Sequence, residues 1–303
     1  MASIALIANA GSGGGRGPGA RALLGQCERE GLDVRLHEVP EGGDLAAVLR
    51  EAIATAPRML VAAGGDGTVN AVATAAIEHD LVLGVLPMGT LNHFARDLDI
   101  PPDPEAAIRV LATGQERRVD AAQANETLFL NNASIGLYAT IVVQRERLQR
   151  RLGASKRSAL LRATWAALRH PEPFEVTIEA GGETVRRRTH FVFVGNNDYE
   201  LQGAAAGTRA RLDDGMLSVY VLHPRTVAGL LWLALRILLR GTSGARALDA
   251  FAVRECTVHG RQARVRVARD GEVGELEGPV TFRVLPGALR VVAPPPAPME
   301  ADA

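Results

Sequence analysis

Lysine is almost missing from this chain: of 34 basic residues only Lys156 is a lysine, and the rest are arginine. Arginine's planar fork suits bidentate phosphate contacts, although a bias of the genome's composition gives the same excess. Net charge is missing too. With 34 acidic residues the formal charge is zero, so no broad basic field is available to hold nucleic acid, and no nucleic-acid partner is expected. Cysteine is scarce. Cys27 and Cys256 stand far apart without metal-type spacing and read as buried free thiols, which makes a reducing cytoplasm the expected location. No apolar run reaches the roughly 20 residues that a bilayer-spanning helix needs. The first residues, Met1 to Ala8, lack a basic leader and run into a glycine loop, so they read as a first strand and not as a signal peptide. At 303 residues the chain is long enough for two domains, each with its own core.

Glycine is abundant, and it clusters where strands give way to helices. The apolar run Met59–Ala63 leads into Gly64-Gly65-Asp66-Gly67-Thr68-Val69-Asn70 and then into the helical pattern Ala71–Ile77. Glycines in such a turn are expected to reach left-handed conformations and to let backbone approach a bulky ligand, while the amides opening the helix attract phosphate. Asp66 is repulsive to phosphate unless it holds a cation or a hydroxyl, which suggests a nucleotide handled with Mg²⁺. A plain βα turn with a solvated Asp is the simpler reading of the same residues.

Two further turns have the same form. Ile4–Ala8 is a strand followed by a loop with Asn9, Gly11, Ser12 and Gly13, and a helix is expected from about Pro18 to Glu30. Gly15-x-Gly17-x-x-Ala20, with Glu38 downstream, matches a relaxed dinucleotide fingerprint, but Pro18 interrupts it and the first glycine lies well past the strand. Leu32–His37 reads as a strand, Asp44–Ala56 as a helix capped by Asp44, and Leu81–Leu86 as a strand that opens into Pro87–Arg96. In an open parallel sheet these three loops share an edge and can converge on one ligand. Thr90 and Asn92 are then donors to phosphate or base, or else helix caps.

Taken in order, NANAGSGGG, GGDGTVN and LGVLPMGTLNHFARDL resemble the diacylglycerol kinase catalytic domain shared by bacterial lipid kinases and by sphingosine and ceramide kinases. The resemblance implies an ATP- and Mg²⁺-dependent kinase acting on a lipid hydroxyl. It also implies an N-terminal α/β domain with a parallel sheet, like that of NAD kinases and phosphofructokinases, and a C-terminal antiparallel β-sandwich-type domain with helices. ATP is expected between the two. Asn9, Gly11, Ser12, Gly13, Gly64 through Asn70 (Asp66, Gly67, Thr68 and Val69 included), Thr90 and Asn92 are the expected nucleotide residues. One departure is Asn92-His93, where the family usually carries Asn-Asp.

Downstream, a hairpin over Arg117–Leu130 turns at Asn125-Glu126. The domains are expected at 1–121 and 122–285, with 286–297 returning to the first and 298–303 as a tail. Asp120 matches an acid near the family's cleft, and Asn131–Gly136 and Gly195–Asn197 fit the family as well. Arg145–Arg169 carries eight basic residues and one acid among leucines, which suits docking on an anionic membrane surface or a solvated face. The apolar segment Val227–Leu239 is expected as a packed helix. Asp213-Asp214-Gly215 is a turn signal. By the resemblance it is a Mg²⁺ turn using the Asp214 carboxylate and the carbonyls of Arg211 and Met216. Asp270-Gly271 signals a hairpin, and by the resemblance Glu272 after it takes the proton from the lipid hydroxyl, with Asp66 the other catalytic residue. An NAD-kinase-like enzyme and an inactive nucleotide- and membrane-binding protein are the alternatives. The sequence leaves the acceptor lipid open and allows a homodimer.

Overall fold

The computed structural model describes residues 3–9, 19–136, 173–199, 208–209, 211–222, 248–260 and 262–295. These divide into two compact units, one of Met1–Val119 with Gly287–Ala303 and one of Asp120–Pro286. The basic stretch 145–169 and the apolar segment 227–239 lie outside the described residues.

In the first unit, strands β1 (Ile4–Asn9), β2 (Val34–Val39), β3 (Met59–Gly64) and β4 (Val82–Pro87) alternate with helices α1 (Ala20–Arg29), α2 (Leu45–Ala54) and α3 (Asp66–Glu78). Helices α4 (His93–Asp97) and α5 (Pro104–Thr113) follow. The sheet is parallel, in the order β2-β1-β3-β4, and is extended beside β4 by the last strand of the chain, whose Arg290 and Val291 pair with Val82 and Leu83. Its middle strands are covered on both faces, with Leu6, Leu60, Val61, Ala62 and Leu83 fully buried, as an all-parallel sheet requires. Local signals agree with these elements. The Asp44 carboxylate accepts the Ala46 and Ala47 amides at the start of α2, and Asp103 accepts Ala106 N–H ahead of Pro104, the first residue of α5. α1 opens at Ala20, two residues later than the pattern suggests, and β2 runs to Val39.

The second unit takes up the chain within β5 (Gln115–Ala124), which turns at Asn125 into β6 (Thr127–Phe129). After it come β7 (Asn132–Gly136), β8 (Phe174–Ala180), β9 (Glu183–Thr189), β10 (Phe191–Asn196) and β11 (Leu217–Leu222). The last five are β12 (Leu248–Val253), β13 (Glu255–His259), β14 (Arg264–Arg269), β15 (Glu272–Glu277) and β16 (Val280–Ala293). One sheet has β9-β8-β13-β16 with β5 and β6, and the other is β12-β11-β10-β7-β14-β15. Phe129 and Phe282 of the first sheet pack edge to face and share a core with Val192, Val194 and Val219 of the second.

In the sequence, Phe174–Ala180, Gly181-Gly182 and Glu183–Val194 read as one long hairpin, its second strand running over 183–194. The structure breaks it at His190, because the Thr189 hydroxyl bonds both the N–H and the C=O of Phe191 and the chain there leaves one sheet for the other. β12 and β13 go unrecognised in the sequence reading.

Candidate active site

The strand order of the first unit sets the geometry of its turns. β2 lies on one side of β1 and β3 on the other, so the connections leaving β1 and β3 diverge, and the edge at their carboxyl ends is where open α/β sheets leave a crevice for ligands. Asn9, the last residue of β1, donates its side-chain amide to the Thr68 hydroxyl at 3.0 Å, tying the end of β1 to the start of α3. Gly11, Ser12 and Gly13 lie outside the described residues.

The second and third turns touch. A Cβ on Gly65 would stand 3.4 Å from Gly89 Cα, and one on Gly89 would stand 2.7 Å from Gly65 Cα. Gly64 is packed still more tightly, its Cβ direction ending 2.5 Å from the Thr68 side chain. Here the structure corrects the expectation of left-handed glycines: Gly64, Gly65 and Gly67 have no positive φ, and Gly67 lies inside α3. At Gly64 and Gly89, glycine is required by close approach and not by handedness, while a Cβ on Gly65 would sit in ordinary contact.

Asp66 opens α3, and its Oδ1 accepts the backbone N–H of His93 at 2.8 Å, so the carboxylate spans two turns. The His93 ring takes a 3.1 Å contact from Arg96 through Nδ1. Asn92 is left-handed at φ 48°, and its side chain makes no capping hydrogen bond to α4. Its amide is closed on Gly89, accepting from Gly89 N–H and donating to Gly89 C=O. Thr90 is exposed, Thr68 and Val69 are buried, and the Asn70 carbonyl accepts from Thr74. The opening amides of α3, which have no carbonyl partner within the helix, lie at this same edge.

In the second unit the family-like segments meet along one edge of the β10–β7–β14 sheet. The buried Asn196 donates to the carbonyls of Asp120 and Leu130. Asp120 is 2% exposed and accepts Gly215 N–H at 2.6 Å, while Asn197 accepts Asp214 N–H at 3.0 Å. Asp120 and the 213–215 turn are thus one cluster. The Asp214 carboxylate lies 3.1 Å from Arg211 Nε, and bonding to Asp213 together with both acids raises the guanidinium's pKa. The Met216 carbonyl accepts Asn197 N–H. A carboxylate and two carbonyls are hard oxygen donors with lone pairs to spare, which fits Mg²⁺. Among the described residues no cluster of His, Cys, Asp or Glu forms a metal site.

Asp270 and Gly271, at φ 46° and 86°, form the tight turn before Glu272, which is exposed at the head of β15. The Asp270 carboxylate accepts three backbone amides, those of Leu130, Asn131 and Asn132. Arg209, 4% exposed, reaches the same segment, donating to Leu130 C=O and to Asn131 Oδ1, both at 2.7 Å. Burial lowers the pKa of Arg269, opposite Glu272 in the β14–β15 register, and the charges of Glu272 and Asp270 oppose that shift. Sequence reasoning missed Arg209 and the bonding of Asp270. A lone arginine carries no local signal, and an Asp-Gly pair is already explained by its turn.

Residues 3–124 match the diacylglycerol kinase catalytic domain, and residues 132–293 match the YegS C-terminal NAD kinase beta sandwich-like domain. A Pseudomonas aeruginosa protein named "Probable lipid kinase YegS-like" is 32% identical over 292 residues, covering 92% of this chain and 91% of its own. A Klebsiella pneumoniae protein of the same name is 35% identical over 144 residues, 46% of this chain and 48% of its own. A crystal structure described as a diacylglycerol kinase from Bacillus anthracis superposes with a TM-score of 0.71 at 20% identity over 97% of both chains.

Proposed function

Because this chain belongs to the YegS-like lipid kinase family with its diacylglycerol kinase catalytic domain, we propose that it transfers the γ-phosphoryl group of ATP to the hydroxyl of a diacylglycerol-like lipid. The observation that carries this reading is the gathering, at one sheet edge, of the end of β1 and the turns that follow β3 and β4, by Asn9 to Thr68 and by Gly65 against Gly89. Closely packed glycine backbone beside the opening amides of α3 is what a polyphosphate chain requires, since side chains would keep it at a distance.

In this reading the turn residues 64–70 hold the phosphates and fix the γ-phosphoryl group for in-line transfer. Asp66 would hold a catalytic Mg²⁺, and Asp214 with the Arg211 and Met216 carbonyls would hold a second one whose role is structural. Such ions, when bound, neutralise phosphate charge or stiffen the turn. Glu272 accepts the proton of the attacking lipid hydroxyl, and its exposed position at a turn leaves it accessible to an acceptor. The acceptor is met at a membrane surface, with the basic stretch 145–169 as the docking segment and the protein peripheral on the cytoplasmic side. No helix among the described residues is long and apolar enough to cross a membrane.

The test is incubation of the purified protein with γ-labelled ATP, Mg²⁺ and detergent micelles carrying diacylglycerol, phosphatidylglycerol or a sphingoid base, with NAD in a parallel tube. Label in the diacylglycerol fraction is the expected outcome. Label in NAD alone, or in no acceptor, would overturn the assignment.

A further inference from the structure

The bonding around Asp270 is out of proportion to a hairpin turn. An Asp-Gly pair needs no side-chain partner to form a two-residue turn, yet this carboxylate accepts Leu130 N–H at 2.7 Å, Asn131 N–H at 2.8 Å and Asn132 N–H at 3.1 Å. The Asp270 amide also donates to the Asn132 carbonyl at 3.0 Å. The segment it grips is held as well by buried groups. Arg209 and the Asn196 side chain both donate to the Leu130 carbonyl, and Arg209 also takes Asn131 Oδ1 and the Asn196 carbonyl. Leu130 therefore has its N–H fixed by an anion and its C=O fixed by a buried cation. Through Asn196 and the Asp120 carbonyl the same frame reaches the 213–215 turn.

We infer that Asp270 is the positioning residue of the phosphoryl-transfer reaction: it fixes where Glu272 stands relative to the Asp120–Asp214 cluster, and Arg209 holds the same 130–131 segment through its other polar groups. The inference rests on the reading of Glu272 as proton acceptor. Only Gly271 separates the grip from the base, and both Asp270 and Gly271 have left-handed backbone, so freeing the carboxylate frees the turn that carries Glu272. Charge-assisted bonds to three amides form a rigid anchor, and a general base is effective only within hydrogen-bond reach of the proton it takes. Displacement of a positioned group by about 1 Å costs about 100-fold in rate.

The decisive experiment is a double-mutant cycle on the full chain, with label transfer to the diacylglycerol micelle as readout. Asp270→Asn keeps a residue that tolerates the left-handed turn, but it turns an acceptor for three amides into a group that also presents donors to them. Alone it is expected to lower kcat roughly 10- to 100-fold and leave KM for ATP unchanged. Added to Glu272→Gln it is expected to change the residual rate by less than about 2-fold, because a residue acting only through Glu272 has nothing left to position. Should Asp270→Asn fail to fold, Arg209→Lys enters the same cycle. It keeps the charge but not the fork that reaches both Leu130 and Asn131, and its expected pattern is the same. An unchanged kcat with only a lowered Tm, or an equal loss in both backgrounds, would overturn the positioning role while Glu272 kept its own. A wild-type rate in Glu272→Gln would overturn the general-base reading, and the positioning role with it.

Discussion

The Asp66 carboxylate accepts the backbone N–H of His93 across 27 residues of sequence, at 2.8 Å. One side chain therefore holds together the turns that end β3 and β4, and its role in closing those turns has to be separated from any role in holding a metal.

The substitution that separates the roles is Asp66→Asn. An Asn oxygen still accepts the His93 amide, so the clasp survives while the charge is lost. The expected outcome is a melting temperature close to wild type with turnover reduced by about 1,000-fold, the scale on which loss of one preorganised charged group is felt. Asp66→Ala should lose turnover and, in addition, about 1–3 kcal/mol of stability through the orphaned amide. Chemical denaturation beside label transfer reads both. A full rate in the Asn variant would remove the metal role.

Gly64→Ala tests close approach directly. The new methyl would meet the Thr68 side chain at 2.5 Å, so either α3 or the turn must shift. The expected cost is about 1–3 kcal/mol from overpacking, together with a weakened grip on ATP. Isothermal titration with a non-hydrolysable ATP analogue measures the second effect. A substitution that is neutral in both would show that the turn has more room than the structure gives it.

Asp214→Ala isolates the proposed structural cation. In wild type, Mg²⁺ is expected to raise the melting temperature, by the linkage that follows any ligand bound only to the folded state. Removal of the metal with EDTA should reverse the rise. In Asp214→Ala the Mg²⁺ response should disappear while KM for ATP stays unchanged, and an undiminished response would place the stabilising ion elsewhere.

Cys256 supplies a pH signature. Burial, with a smaller contribution from Glu255, pushes its thiol up to about 12 from 9.0. Between these values the unfolded chain ionises the thiol while the folded chain keeps it protonated, so unfolding releases a proton and stability falls as pH rises. The loss approaches about 4 kcal/mol at pH 12 and is absent below pH 9. Urea melts at pH 8, 9 and 10 should show a steeper alkaline decline in wild type than in Cys256→Ala. Cys256 should also resist thiol reagents in the native state.

The α/β unit was legible because its signals are local. Asp44 and Asp103 sit where caps belong, Pro104 where a helix can begin, and β3 and β4 are unbroken apolar runs that an all-parallel sheet buries on both faces. The β unit was legible where hairpins advertise their turns, at Asn125 and Asp270, and illegible at His190, where a hydroxyl of Thr189 and not a glycine or proline breaks the strand. At the candidate site, sequence pointed to Gly64, Gly65 and Asp66, and of its two reasons for the glycines the left-handed backbone is absent while close packing is present. Packing density is a property of the assembled turns and leaves no mark on a pentapeptide. Asn92 illustrates the same limit, since its residue type suits a cap, a ligand contact and the pair of bonds to Gly89 that the structure shows. Arg209 depends on partners 13 to 79 positions away, and no short pattern encodes them.

The strand beside β4 is the C-terminal part of β16, with Leu289, Val291 and Ala293 buried. During synthesis the glycine-turn unit therefore cannot finish its sheet when its own first 119 residues have emerged, and β4 stays an open edge until the whole intervening β unit has been made. An open parallel edge invites pairing with a neighbouring chain, so the nascent protein is most exposed to misassembly during the interval in which its two-sheet unit is being translated.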